Sequence, residues 1–129
     1  MLITDLPVNH TIITRLQDKG FTELTDVQEQ TILPALLGKD IMASSKTGSG
    51  KTLAFLVPIV HRLLTQKALS KQDPRVIILA PTRELAKQVF SEAIWLCQKK
   101  NLATTLVVGG DNYNDQTKAL RRNPHIIVG

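Results

Sequence analysis

The stretch that decides the fold runs from Asp40 to Thr52 and reads D-I-M-A-S-S-K-T-G-S-G-K-T. Residues 40–43 are a short, largely apolar run that predicts a strand, and the residues after Thr52 are apolar at helical spacing. A glycine-rich connection between a strand and a helix exposes inward-facing backbone N–H groups, and the N-terminus of a helix favours negative charge. The stretch therefore predicts an anion-binding site on an α/β fold.

The connection contains the core of a phosphate-binding P-loop. Its members are Ser45, Lys46, Thr47, Gly48, Ser49, Gly50, Lys51 and Thr52. Glycines permit unusual dihedral angles and the close approach of a phosphate chain. Lys51 is predicted to reach the β and γ phosphates and Thr52 to coordinate Mg²⁺ through its hydroxyl, so these two are the candidate catalytic residues. Ser45 replaces the first glycine of the simplest P-loop pattern, and a surface loop rich in glycine, serine and lysine is the alternative.

Apolar runs alternate with helical patterns along the rest of the chain. The predicted strands cover residues 40–43, 76–79, 105–108 and 125–128, and the predicted helices cover residues 9–19, 26–37, 51–66, 83–99 and 112–122. The strands are continuously apolar, which is typical of strands buried on both faces. The pattern predicts the α/β class, with a parallel sheet flanked by helices.

The composition limits the class of protein. With 43% hydrophobic and 21% charged residues, the 129-residue chain has the composition of one folded domain. Lys and Arg outnumber Asp and Glu by 16 to 11, and the net charge of +5 favours a polyanionic partner, although a merely basic surface is the alternative. The single cysteine, Cys97, fits a reducing compartment, so we expect a cytoplasmic protein. No apolar run is long enough to span a bilayer, and no membrane association is expected.

The run Pro81-Thr82-Arg83-Glu84-Leu85-Ala86 follows the second predicted strand. This run resembles a motif of the DEAD-box RNA helicases, and the resemblance spans nearly the whole chain. Other parts of the family pattern are matched by the P-loop and by Gly20, Phe21, Thr25, Gln28, Gly109 and Gly110. The resemblance implies an incomplete N-terminal RecA-like P-loop NTPase domain over residues 1–129, with ATP and Mg²⁺ as cofactors and RNA as partner.

The resemblance implies that Pro81, Thr82 and Arg83 contact the RNA backbone. A cation at the start of a helix is unfavourable for folding alone, because the helix N-terminus carries partial positive charge, and a bound phosphate removes that conflict. Thr82 is expected to cap the helix. Gly109 and Gly110 are implied to lie along the RNA, where the missing side chains allow close approach, and an ordinary turn at the end of a strand is the alternative.

Residues 25–28 read T-D-V-Q, which is a capping box in which the Gln28 side chain reaches back to the Thr25 amide. The resemblance implies in addition that Gln28, with Phe21 and Thr25, recognises the adenine of ATP. A carboxamide can donate to and accept from the N6/N7 edge of adenine, so the implied role has a physical basis. Both interpretations stay open.

None of the predicted strands ends in Asp-Glu-Ala-Asp, the signature that gives the family its name. We therefore expect a fragment that stops before this signature and lacks the second RecA-like domain. The fragment alone is expected to be inactive and prone to self-association, whereas its parent would hydrolyse ATP and separate short RNA duplexes. Two other classes stay open, namely a P-loop kinase, which leaves residues 81–86 unexplained, and a non-catalytic adaptor that binds nucleotide or RNA.

Overall fold

The computed structural model describes residues 1–44, 50–66, 74–97, 102–110, 112–122 and 124–129. The chain divides into two compact units, Met1–Thr65 and Gln66–Gly129. The interpretation of residues 1–129 as one domain stays a prediction.

The first unit is helical. A short 3-10 helix, Ile3–Asp5, precedes α1 (His10–Asp18), α2 (Asp26–Leu36) and α3 (Lys51–Thr65). All three α-helices agree with the sequence patterns to within one or two residues at each end. Helix α1 begins where the Asn9 side chain accepts a hydrogen bond from the Thr11 amide at 2.9 Å. Helix-forming patterns are local, so these boundaries were accessible from sequence alone.

The core of the first unit lies where α3 packs against α2 and α1. The largest fully buried side chains of this unit are Ile12, Leu16, Ile32, Leu56, Val57 and Val60. Each buried aliphatic side chain contributes roughly 1.5–3 kcal/mol relative to exposure, so this cluster dominates the stability of the unit. Helix α3 continues through Pro58, which is itself buried.

The strand predicted over residues 40–43 is wrong. Within the described residues, this segment has no ladder partner, and Ile41 is 42% and Met42 101% exposed. An extended segment becomes a strand only when a neighbouring strand takes up its backbone N–H and C=O groups. The elements around it in this unit are helices, which offer no free edge.

The second unit is an α/β layer. Its elements are β1 (Val76–Ile78), α4 (Arg83–Cys97), β2 (Thr104–Leu106), α5 (Tyr113–Arg121) and β3 (Ile126–Val128). The strand order is β1-β3-β2, and both pairings are parallel. The parallel sheet predicted from the alternating pattern is confirmed. The last strand in sequence lies in the middle, so β2 and β1 form the two edges.

One face of this sheet packs against α4. Ile78, Ile126 and Val128 are buried together with Ala93 and Leu96 of the helix. The prediction of burial on both faces is wrong for β1, because Ile77 is 66% exposed. Helix α5 contacts β2 rather than β1, so it does not cover that side chain. No helix formed by the described residues has the length and apolar character needed to span a bilayer.

The first unit also contains a histidine that joins two helices. His61 on α3 accepts a hydrogen bond from the backbone N–H of Asn9 through its Nδ1 atom, at 3.0 Å. Only the unprotonated Nδ1 can accept this bond. Burial lowers the pKa of His61 from 6.5, because it disfavours the charged imidazolium. The contact therefore holds the start of α1 against α3 only while His61 is neutral.

We expect the free energy of unfolding to decrease as the pH falls below 6.5, the ordinary pKa of histidine, toward the lower folded-state pKa of His61. The unfolded chain takes up the proton more readily, so acid favours unfolding, and the stabilisation is fully present above that pH. Urea unfolding at a series of pH values would measure the effect. His61→Asn keeps an acceptor for the Asn9 amide and removes the titration, so its profile should be flatter. Identical pH profiles for the two proteins would contradict this expectation.

Candidate functional site

The start of α3 carries the described part of the predicted phosphate loop. Lys51 is the first helical residue and is exposed, and Thr52 is partly buried. Gly50 has a φ of +88°, and its carbonyl oxygen accepts the first helical hydrogen bond from the Ala54 amide at 3.2 Å. This backbone conformation favours glycine. The other predicted members, Ser45, Lys46, Thr47, Gly48 and Ser49, lie outside the described residues.

Lys51 lies at a cavity of about 460 Å³ in the first unit. Its lining includes the apolar side chains Val27, Ala54, Phe55, Pro58 and Ile59 and the charged side chains Lys39, Asp40, Lys51 and Arg62. The volume lies in the range of small-molecule sites. Three cations against one carboxylate favour an anion in this cavity, which agrees with a phosphate ligand near Lys51. Its role as the phosphate-binding lysine stays a prediction.

Gln28 forms the capping box that its sequence pattern predicts. The Thr25 hydroxyl accepts a hydrogen bond from the Gln28 amide at 3.3 Å, and Gln28 Oε1 accepts one from the Thr25 amide at 2.9 Å. The side chain is buried, with 5% exposure. A carboxamide has two lone pairs and two N–H hydrogens, so capping leaves capacity for further partners. The capping interpretation is confirmed, and adenine recognition stays a prediction.

The side-chain nitrogen of Gln28 contacts the phosphate-loop backbone. Gln28 Nε2 donates a hydrogen bond to the carbonyl oxygen of Gly50 at 3.2 Å. A Cβ atom on Gly50 would collide with that nitrogen and would lie 3.4 Å from the Thr25 hydroxyl oxygen. Gly50 therefore combines a positive φ with the absence of a side chain where Gln28 packs. No local pattern connects residues 22 positions apart, so sequence reasoning did not pair them.

Phe21 has a structural role that the sequence analysis missed. Gly20, with a φ of +85°, donates to the Gln17 carbonyl at 2.9 Å, and Phe21 donates to the Leu16 carbonyl at 3.1 Å. This is the Schellman motif that ends α1, and its signal in the sequence was Gly20, two residues after the last helical residue. Phe21 is 39% exposed and lines a cavity of about 10 Å³ with Leu16 and Gln28. Phe21 and Gln28 thus border a small cavity that Lys51 does not line.

The second unit brings the predicted RNA-contacting residues together. Pro81, Thr82 and Arg83 are exposed at the start of α4, and the Thr82 hydroxyl accepts a hydrogen bond from the Leu85 amide at 3.1 Å. The predicted helix cap is therefore confirmed. Gly109 and Gly110 are exposed after β2, and a Cβ atom on Gly110 would lie 2.6 Å from an Arg83 guanidinium nitrogen. Arg83 and Gly110 are thus in contact although they lie 27 positions apart in the sequence.

A polar residue next to the turn of Gly109 and Gly110 was not identified from the sequence. Gln116 on α5 accepts a hydrogen bond from the Val108 amide through Oε1, at 2.8 Å. Val108 immediately precedes the two glycines. A glutamine in the first turns of an exposed helix carries no pattern that would single it out, so only the tertiary structure reveals this contact.

Within the described ranges, no three His, Cys, Asp or Glu side chains converge as a metal-ligand group. Thr52 supplies a hydroxyl at the start of α3, which suits a hard cation such as Mg²⁺ when phosphate oxygens complete its shell. Its assignment as the magnesium ligand stays a prediction.

Replacing Gly50 and Gly20 by alanine separates backbone strain from collision. Both have positive φ, +88° and +85°, so alanine costs roughly 1–2 kcal/mol at each. The new methyl group meets the Gln28 carboxamide at Gly50 and nothing within 4 Å at Gly20. We expect Gly50→Ala to lower the free energy of unfolding by about 1 kcal/mol more than Gly20→Ala, as measured by urea unfolding. Equal losses would show that Gln28 moves aside without cost.

The chain is similar in sequence to ATP-dependent RNA helicases. It is 42% identical over 127 residues to an ATP-dependent RNA helicase RhlB of Pasteurella multocida, covering 98% of this chain and 30% of the relative. It is 45% identical over 125 residues to an ATP-dependent rRNA helicase RRP3 of Encephalitozoon cuniculi, covering 97% of this chain and 30% of that relative. The chain therefore spans about 30% of the length of each of these two relatives.

Two solved structures are similar to the chain in fold and in sequence. The crystal structure of a DEAD box protein from Methanococcus jannaschii matches with a TM-score of 0.86 and 36% identity, over 100% of this chain and 34% of that one. The RNA-helicase Prp28 from Chaetomium thermophilum, bound to ADP, matches with a TM-score of 0.85 and 34% identity, over 94% of this chain and 30% of that one. These neighbours confirm the predicted RecA-like α/β class. Because the model of the DEAD/DEAH box helicase family matches residues 25–129, we conclude that the chain belongs to this family.

Proposed function

We propose that this chain is the ATP-binding and RNA-contacting part of an ATP-dependent RNA helicase. The observation that carries the proposal is the hydrogen bond from Gln28 Nε2 to the Gly50 carbonyl, which joins the candidate adenine-binding residue to the backbone before Lys51. The names of the relatives and the ADP bound to one structural neighbour support a nucleotide ligand.

The nucleotide site would use residues at the start of α3. Lys51 and the helix N-terminus would attract the phosphates, because both carry positive charge and Lys51 is exposed at a concave surface. Thr52 would offer its hydroxyl to Mg²⁺, which offsets phosphate charge when it is bound. Gln28 would contact adenine with the capacity that its capping bonds leave free. The hydrogen bond from Gln28 to Gly50 would then couple the position of the phosphate-loop backbone to the binding of adenine.

The RNA site would use the start of α4 and the turn after β2. The Arg83 guanidinium lies over Gly110, so a cation and an exposed, side-chain-free backbone share one surface. A phosphodiester backbone suits such a surface, because it carries negative charge and needs close approach rather than base-specific contacts. Thr82 uses its hydroxyl to cap α4, which leaves Arg83 as the charged contact.

ATP hydrolysis and strand separation belong, in this proposal, to a protein of the length of the relatives. Residues 1–129 would form part of its N-terminal RecA-like domain. A cytoplasmic location is included in the proposal, and its support is the single cysteine, Cys97, which is a free and buried thiol. Self-association of the chain is also proposed, and its support is the exposed apolar side chain of Ile77 on an edge strand.

Lys51→Ala should weaken MgATP binding about tenfold or more, because an ammonium-phosphate contact contributes about 1.5–3 kcal/mol. Isothermal titration of the chain with MgATP measures this change. Lys39→Ala removes the same charge from the lining of the same cavity, outside the phosphate-loop pattern, and should weaken binding less than Lys51→Ala. Equal affinities of the Lys51 variant and the wild type would remove Lys51 from the site.

Arg83→Ala should weaken the binding of single-stranded RNA and reduce the slope of log affinity against log salt concentration by about one, because one phosphate contact is lost. Fluorescence anisotropy with a labelled oligonucleotide at several salt concentrations measures both quantities. Lys87→Ala removes the same charge one turn farther along α4, where the side chain is also exposed, and should change them less. If the two variants behave alike, the effect is one of net charge and not of a site at Arg83.

A further inference from the structure

A hydrogen bond to a side chain of α5 holds the residue immediately before the turn of Gly109 and Gly110. Gln116 Oε1 accepts from the Val108 amide at 2.8 Å. Strand β2 is an edge of the sheet, and the neighbouring Val107 amide donates inward to the Val128 carbonyl at 2.8 Å. Amides alternate in direction along a strand, so the Val108 amide faces away from the sheet. Gln116 supplies the acceptor that this amide would otherwise take from water.

The same helix end also holds the chain after the glycines. The Asn112 side chain accepts from the Asp115 amide at 3.1 Å, and the Asn112 carbonyl accepts from the Gln116 amide at 3.1 Å. The residue before the two glycines and the cap of α5 are therefore both bonded to the first turns of α5. Two fixed attachment points restrict the dihedral angles that a glycine pair would otherwise sample.

The position of Gly110 in turn determines where Arg83 can lie. Gly110 has a φ of +87°, and the Arg83 guanidinium occupies the space of its missing Cβ, with the central carbon 3.0 Å from that position. A shift of the turn would move this packing surface. The contacts therefore form one series from Gln116 through Val108 and Gly110 to Arg83.

Helix α5 contributes little to the hydrophobic core of its unit. None of its residues, Tyr113–Arg121, is buried, although the helix contacts β2. An exposed helix of this kind gains little from apolar burial. The first residues of α5 therefore contribute to the structure mainly through their hydrogen bonds to the chain on either side of the turn.

We propose that Gln116 is a positioning residue for RNA binding. Its carboxamide holds the turn of Gly109 and Gly110, and through this turn the Arg83 guanidinium, in the arrangement that contacts a phosphodiester backbone. This inference rests on the proposed function, which assigns RNA contact to those residues.

The test compares Gln116→Met, which keeps the length but removes the acceptor, with Gln116→Glu, which keeps an acceptor and adds a charge. Gln88→Met, at an exposed position on α4, is the matched control. Hydrogen exchange of the Val108 amide reports on the turn, and anisotropy with a labelled single-stranded oligouridylate reports on RNA binding. Both are measured at a temperature where circular dichroism shows each variant to be folded.

We expect Gln116→Met to speed Val108 exchange about tenfold and to weaken RNA binding about fivefold or more, because one hydrogen bond in a partly buried site is lost. Gln116→Glu should keep slow exchange, and at a salt concentration that screens its charge it should bind RNA more tightly than Gln116→Met. A role in stability alone would lower the melting temperature and leave the affinity of the folded variant unchanged.

Two failures can be told apart. If Arg83→Ala weakens RNA binding but Gln116→Met binds like the wild type, the inference is wrong and the proposed function stands. If Arg83→Ala also binds like the wild type, the proposed function is wrong and the inference falls with it. If Gln116→Met does not fold, hydrogen exchange of the Val108 amide in the wild type becomes the deciding measurement. An unprotected Val108 amide would overturn the inference.

Discussion

A glycine with positive φ lies against a polar side chain in each unit, and the candidate sites depend on this arrangement. Gly50 accommodates the Gln28 carboxamide, and Gly110 accommodates the Arg83 guanidinium, each in the space of a missing Cβ. The two φ values, +88° and +87°, lie where side chains cause steric conflict. The absence of a side chain therefore serves the backbone and the neighbour at the same time. Any larger residue would have to move both.

Helix ends supply the other common element of the two candidate sites. Helix α3 begins beside Gly50, and α4 begins at the cap formed by Thr82. A helix N-terminus has unpaired N–H groups and partial positive charge, so it stabilises an anion. Lys51 and Arg83 add a full charge at positions where folding alone would favour an acidic side chain. Their position at the first helical residue is costly for the helix and useful for a phosphate, which is the physical reason that both attract a functional interpretation.

Local signals explain why most elements could be predicted from the sequence. Asn9, Thr25 and Asn112 each cap a helix through the side chain, and Gly20 ends α1 in the left-handed conformation. Strand formation depends on partners, so the run at residues 40–43 failed as a strand although its composition suits one. Ile77 shows the same dependence, because its exposure is decided by which helix covers the sheet face and not by its own apolar character. Continuous apolar runs thus predicted parallel pairing correctly and, for β1, the covering of both faces incorrectly.

The amino-acid sequence by itself determined the α/β class, the helix boundaries, the family and the residues that carry its motifs, because these follow from local spacing and residue type. Tertiary structure alone decided that Gln28 binds the Gly50 carbonyl, that Arg83 lies over Gly110 and that Gln116 holds the Val108 amide. Each of these contacts depends on where two helices or a helix and a strand edge come together. Side-chain hydrogen bonds act over about 3 Å, and sequence separation does not encode a distance that short.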